Sequence, residues 1–432
     1  MNTKNMKRII YLMMVVLVAS CSDSKLPEEG TTPPEQPEVP IEMEPARAIT
    51  LQPQTRAILE QNNSFAFNFF KAVSQDPQQG ENLFLSPYSV SAALGMLYNG
   101  AEGETKAEIA KVLGMDGYTP EEVNRYYQEL TTALLEVDPF SSLGLANAIW
   151  ANKGIPLKNS FVEVNQNYYD AEVSTLDFSL PSALQAINSW SNEKTNGTIP
   201  KILETIDPQT LVILANAIHF NSFWTWDFDK SQTVNKTFHN IDGTTSMVPM
   251  MHQKQMVMKY AQMNSCGMVT LPYANGAFAM NLILPEEGED IDALIEDIDS
   301  ESWEIMRNHA SNSYVKVTLS MPRFKVENKL GLVDILKGMG IQKAFSGVEA
   351  DFSAMLDIDI IAFISEVIQK SYISVDEAGT EAAAVTVIVL STSMGPMPNP
   401  EEVTMVIDRP FIFTITEQST GAILFMGKIT KL

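Results

Sequence analysis

The chain has 432 residues, 45% of them apolar, enough for one large core and more than a single small domain needs. Its 53 acidic and 29 basic residues leave a formal charge of −24, which argues against nucleic acid and anionic membrane surfaces as partners, since both demand basic patches. Two cysteines, Cys21 and Cys266, make neither a disulfide framework nor a metal cluster.

The first residues read as a targeting segment. Lys4, Lys7 and Arg8 precede the short apolar stretch Ile9–Val18. Directly after it, Val18-Ala19-Ser20-Cys21 resembles a bacterial lipobox, whose cysteine is lipidated after cleavage. The alternative is an ordinary secretory signal with a chance cysteine. On the first reading, residues 1–20 are a lipoprotein signal peptide and acylated Cys21 holds the protein at the bacterial cell envelope. The outer membrane, facing the extracellular space or the periplasm, is the expected place. Loss of residues 1–20 removes three bases and no acid, taking the charge from −24 to −27. Residues 21–55 are rich in Pro, Glu and Thr and read as a semi-rigid, solvated tether. No later stretch is long and apolar enough to span a bilayer.

Residues 56–432 read as the folded domain. The spacing of Leu59, Phe65, Phe69 and Phe70 predicts a helix over 57–73. Leu83–Leu85 is a short strand, Ser86 is placed to cap a helix, and Pro87 suits its first turn. Val90, Ala93, Leu94, Leu97 and Tyr98 share one face of that helix. Helices are next predicted over 105–114 and 119–137, a strand over 143–151, and helices over 157–169 and 187–194. Thr210–Phe220 is nearly continuously apolar, as expected of a strand buried on both faces. Asn216 within it must find partners or cost about 1–3 kcal/mol. Strands are predicted over 244–258, 267–271, 278–284 and 314–321, one acidic amphipathic helix over 291–308, and a helix over 330–338. From Phe363 onward the chain returns as a strand. Ile373–Leu390, interrupted by Gly379, has the small and β-branched composition of a buried strand, whereas Ser391–Pro400 is loop chemistry. Two readings fit: a core strand and a long turn, or a loop held outside a sheet that can become part of it.

Glu377, Gly379, Thr380, Glu381, Ala382, Ala383 and Ala384 resemble the hinge of the serpin family of protease inhibitors. Arg409–Phe413 and Ile423–Lys428 resemble the family's C-terminal signature. The resemblance covers residues 57–432 and implies an α+β fold of three β-sheets and about eight to nine helices, with an exposed reactive-centre loop. It implies that Ser86 and Ser89 lie beneath the parting point of the main sheet and that Asn216 bonds across it. It places Trp224 where an entering strand first inserts. Gln369 departs from the pattern, standing where many animal members have His, and Val385 is bulkier than the usual small residue. Taking Glu377 as the seventeenth residue before the cleaved bond puts the specificity residue at Ser393 with Met394 after it; a shift of one makes it Thr392 or Met394. Small or linear side chains there suit elastase-like or subtilisin-like serine proteases rather than trypsin-like ones.

In some serpins a basic helix near residue 125 binds heparin. Here Arg125 is the sole base between Thr119 and Val137, against Glu121, Glu122, Glu129 and Glu136, so heparin is not an expected partner. A monomer is expected. There is no GxSxG, HExxH, P-loop or CxxC motif, no cofactor is implied, and the four histidines show no ligand spacing. His219 reads as a satisfied core residue. The leading expectation is a lipid-anchored inhibitor that traps its protease as a covalent acyl-enzyme. The alternatives are a non-inhibitory serpin acting as a surface binding protein, and a hydrolase with a nonlocal triad.

Overall fold

The near-continuous apolar run ending at Phe223 lies inside a six-stranded sheet, as a strand covered on both faces must. The computed structural model describes residues 41–77, 80–358, 360–380, 387–389 and 401–432. Chain order begins with β1 (Ile41–Met43), α1 (Pro53–Gln75) and β2 (Leu83–Leu85). Three helices succeed them, α2 (Pro87–Gly100), α3 (Gly103–Leu113) and α4 (Pro120–Glu136). β3 (Ser142–Asn152), α5 (Asn159–Tyr169), β4 (Glu172–Leu176), α6 (Pro181–Lys194) and β5 (Val212–Phe223) then alternate. A run of strands comes next: β6 (Val234–His239), β7 (Thr245–Gln262), β8 (Cys266–Pro272) and β9 (Phe278–Pro285). α7 (Ile291–Asp297) and α8 (Ser300–Asn312) lead to β10 (Tyr314–Pro322), β11 (Phe324–Gly331) and α9 (Val333–Met339). The chain closes with β12 (Glu366–Val375), β13 (Gly379–Thr380), β14 (Val387–Val389), β15 (Glu402–Val406), β16 (Phe411–Glu417) and β17 (Ile423–Ile429).

Among the described residues these strands make three sheets. The six-stranded one is ordered β11-β12-β13-β5-β3-β4, a nine-stranded one runs from β15 to β2, and β1 pairs with β14 alone. Alternate side chains of β5 serve two cores. Leu214, Ile218 and Phe220 face the main core, shared with α1 to α4 and the larger sheet. Ile213, Ala215 and Ala217 face α6, whose Ile187 and Trp190 cover them, with Trp190 edge-on to Trp150 at 5.1 Å. Ala215 and Ala217 are the small residues of this face.

Several expectations are corrected. The acidic helix over 291–308 is two helices, because Ile298 is extended and the Asp299 carboxylate caps the second by accepting from the Ser302 N–H. β4, β6, β11 and β15 were not foreseen. β6 buries Phe238 alone, so no alternation marks it. The folded domain starts upstream of Arg56: α1 begins at Pro53, and Met43 is already only 2% exposed. His219 is buried but not fully satisfied, since Nε2 meets Ser142 Oγ at 3.2 Å and Asn196 Nδ2 at 3.4 Å while Nδ1 has no partner among the described residues. The imidazole lies where a side chain of Gly144, its cross-strand partner, would be. Gly144→Ala would put a Cβ 2.1 Å from that ring. The expected result is a loss of about 1–3 kcal/mol in urea unfolding of the native protein, and an unchanged midpoint would contradict this packing.

Candidate functional site

β12 and β5 run in parallel and pair from Glu366↔Ile213 to Lys370↔Ala217. Above Lys370 they part, and β13 fills the gap: Thr380 stands opposite Val375 on one side and Ser222 on the other, with Gly379 opposite Phe223. The reversal that brings β13 back is local. The Asp376 N–H donates to the Gly379 carbonyl at 3.0 Å, and the Ala378 N–H donates to Asp376 Oδ1 at 2.8 Å. Gly379 takes φ +154°, and a Cβ there would lie 2.2 Å from the Ser222 carbonyl oxygen. Only glycine lets the chain enter so close to β5.

Trp224 fixes this turn from the other side. Its backbone N–H donates to the Ala378 carbonyl and its Nε1–H to the Asp376 carbonyl, both at 2.9 Å. The ring stacks on Tyr273 at 4.4 Å, and the Tyr273 hydroxyl bonds Thr380 Oγ1 at 2.6 Å. Glu377 is 1% exposed and its Oε1 accepts from Arg323 Nε at 2.9 Å, Arg323 Nη2 at 2.6 Å and the Thr233 hydroxyl. Burial pulls the Glu377 carboxyl upward, but the bonds from Arg323 and Thr233 outweigh it and hold it below its ordinary 4.5.

Lower in the sheet a polar network ties both strands to α2. Ser86 caps α2, its Oγ accepting from the Ser89 N–H at 3.2 Å and donating to the Leu424 carbonyl at 2.6 Å. Gln369 of β12 accepts from the Ser86 N–H at 3.0 Å and donates from Nε2 to the Ser86 carbonyl at 2.9 Å and to Asn216 Oδ1 at 3.1 Å. Asn216 Nδ2 donates to Ser89 Oγ, to Asn147 Oδ1 at 2.8 Å and to the Ala146 carbonyl at 3.2 Å. The buried Asn thus spans β3, β5, β12 and the helix below. In the buried parting sheet an unmade bond is expensive, so the network keeps the strands shut.

The structure therefore brings Ser86, Ser89 and Asn216 together, and separately places Glu377, Gly379 and Thr380 on the reversal that Trp224 holds through the Asp376 and Ala378 carbonyls. Glu381, Ala382, Ala383 and Ala384 of the hinge, Thr392, Ser393 and Met394 of the reactive bond, and Cys21 lie outside the described residues. Sequence reasoning did not find Arg323, Thr233 or Tyr273 as hinge partners. Arg323 was visible only as the residue after Pro322, with nothing to say which carboxylate it would meet.

The sheet is parted at one end by Gly379 and Thr380, which lie between β12 and β5. Residues 60–432 match the family model described as serpin (serine protease inhibitor). An uncharacterized serpin-like protein of Thermococcus kodakarensis is 35% identical over 383 residues, covering 87% of this chain and 86% of that protein. Human leukocyte elastase inhibitor is 32% identical, covering 86% of this chain and 98% of the inhibitor. The native crystal structure of tengpin, a thermophilic serpin, superposes with a TM-score of 0.78 at 30% identity, covering 91% of this chain and 98% of tengpin. The chain belongs to the serpin family, a family of protease inhibitors with some non-inhibitory members rather than of enzymes.

Two substitutions probe the hinge. Glu377→Gln should lower native stability by about 1 kcal/mol, at the low end for a charged hydrogen bond because Arg323 is 42% exposed. Because the folded pKa is depressed, that difference should be complete above pH 4.5 and vanish as the pH falls through the lowered value. Urea unfolding of both forms across pH 3–7 measures it. Gly379→Ala cannot keep β13 seated, and a loss of about 1–3 kcal/mol is expected in the same assay.

Proposed function

We propose that this serpin inhibits an elastase-like or subtilisin-like serine protease as a suicide substrate, its loop inserting between β5 and β12 once the protease has cleaved it. The observation that carries the proposal is the register of β13. Thr380 is already paired with Val375 and Ser222, and the chain direction there is antiparallel to both strands. Continued residue by residue, that register sets Ala382 between Ile373 and Phe220, and Ala384 between Ser371 and Ile218. Thr386 arrives between Gln369 and Asn216, and Val389 between Glu366 and Ile213, where the β12–β5 ladder ends. The loop is thus long enough to replace that ladder along its whole length.

The residues suit the places they would take. Thr380, Ala382, Ala384, Thr386 and Ile388 share the parity of Phe220 and Ile218 and would face the main core, while Val385, Val387 and Val389 would face α6. Small side chains enter first and larger ones close the strand. Insertion separates Gln369 from Asn216, and the Thr386 hydroxyl would come between them able to donate and accept. Burying Ile388 contributes about 1.5–3 kcal/mol, and around ten new ladder bonds about 1 kcal/mol each. The sum is comparable with the roughly 5–15 kcal/mol that holds a typical protease folded.

In the covalent step the protease serine oxygen attacks the Ser393 carbonyl carbon, the Ser393–Met394 peptide bond breaks, and Met394 leaves as a protonated amine. The remaining ester carries the protease with the inserting loop, so its triad is distorted before water can hydrolyse it. The lipobox-like Cys21 and its tether support a place for this inhibitor at the bacterial envelope.

Incubation with elastase should give an SDS-stable complex of summed mass, and the peptide released should begin at Met394 or one residue either side. The cleaved protein should melt about 20 °C higher than the intact one, from about 2 °C for each kcal/mol gained. Thr386→Arg would bring an unpaired guanidinium between Gln369 and Asn216, which are 0% and 2% exposed. That variant should be cleaved at the same bond without forming complex. Complex formation undiminished by Thr386→Arg would refute insertion in this register.

A further inference from the structure

The loop has a second partner, on the N-terminal side of the domain. β1 pairs in parallel with β14 in the register Ile41↔Val387, Glu42↔Ile388 and Met43↔Val389, and among the described residues these two strands form a sheet with no third member. Met43 and the residues just after β1 seat that strand on the body. Met43 is buried against Phe223 and Ala274, with Phe140 beside them. The Ala46 N–H donates to the Asn275 carbonyl at 3.0 Å and the Ile49 N–H to Ser419 Oγ at 2.9 Å. Phe223 is the residue that pairs with Gly379 at the mouth of the sheet, and its carbonyl accepts from the Ala274 N–H at 2.9 Å. The same short segment therefore holds a stretch of the loop by its backbone and packs against the point where the loop enters.

A β-strand has two hydrogen-bonding edges. Inserted between β5 and β12, Val387–Val389 would spend both edges on those strands, so no edge would remain for β1. Pairing with β1 and insertion are mutually exclusive states of the same three residues. We propose that Ile41–Met43 is a latch, which stabilises the uninserted loop and must let go of β14 before insertion can finish. This rests on the insertion reading above. The latch is also the first described part of the chain after the proline-rich segment, so the junction between tether and domain is the element that restrains the loop.

The test compares the full-length protein with the double variant Glu42→Pro with Met43→Asp, which removes a backbone donor from β1 and puts a charge at the Phe223 contact. Glu44→Ala is the control, since Glu44 is 88% exposed and its ion pair is with the similarly exposed Arg47. Two rates are read: subtilisin cleavage at the bonds flanking 387–389, and conversion of the intact protein on warming to a heat-resistant, loop-inserted form. Both should rise about tenfold in the double variant, the factor that corresponds to 1.4 kcal/mol, and stay level in the control. Faster cleavage with conversion at the original rate would overturn the latch, as would no change in either. If neither protein gains heat resistance even after cleavage, the insertion reading fails and the latch with it. A normal gain beside unchanged rates removes the latch alone. As a second arm, Met43→Cys with Val389→Cys joins residues that face each other in the register. The oxidised form should be cut without trapping elastase, and reduction should restore the complex; trapping by the oxidised form would also overturn the proposal.

Discussion

Closure of β5 against β12 is the constraint on which the rest of the molecule depends. The two strands share only five register pairs, and one of those pairs, Gln369 with Asn216, is also joined through its side chains. Asn216 holds Ser89 and Asn147, while Gln369 holds both backbone groups of Ser86. The sheet and the helix below it are therefore one hydrogen-bonded unit. Separating the strands without offering replacement partners leaves several buried polar groups unmatched, and that cost opposes their parting.

Gln369 gives this closure a particular character. An amide makes the same kinds of bond as an imidazole but does not titrate between pH 5 and 8. The Gln369–Asn216 bond is thus independent of protonation across the physiological range, where a histidine in that place would couple it to protonation. The acid-sensitive bond lies higher, where buried Glu377 meets Arg323 and Thr233, and it weakens only below the ordinary carboxylate range. Strength and sensitivity are placed on different parts of the same pair of strands.

Much of the site was legible because its residues are unusual for where they sit. An Asn in an apolar strand and a Gly breaking a β-branched run violate local preferences, a Ser-Pro helix start follows one, and Trp224 was marked by the family resemblance; each has a specific partner. The partners themselves were less legible. Arg323 reaches Glu377 across 54 residues of chain, and its sequence surroundings are those of any strand end. β6 was missed because five of its six residues face solvent, leaving no alternation to read. The split between α7 and α8 could have been anticipated from Asp299, whose preference for a cap competes with the helical periodicity running through it.

By itself the sequence determined the apolar strand, the helix beneath it, the glycine on which the reversal at β13 turns, and a neighbouring loop whose side chains grow from small to large, because these arise from composition and periodicity within a few adjacent residues. Tertiary structure alone decided the pairing of Val387–Val389 with β1. Ile41–Met43 lies between Pro40 and Pro45 and reads as solvated tether, yet it pairs with residues more than three hundred positions away and buries Met43 against Phe223. Nothing local encodes such a contact, since its stability comes from surfaces that exist only once both β5 and the β8–β9 turn have folded.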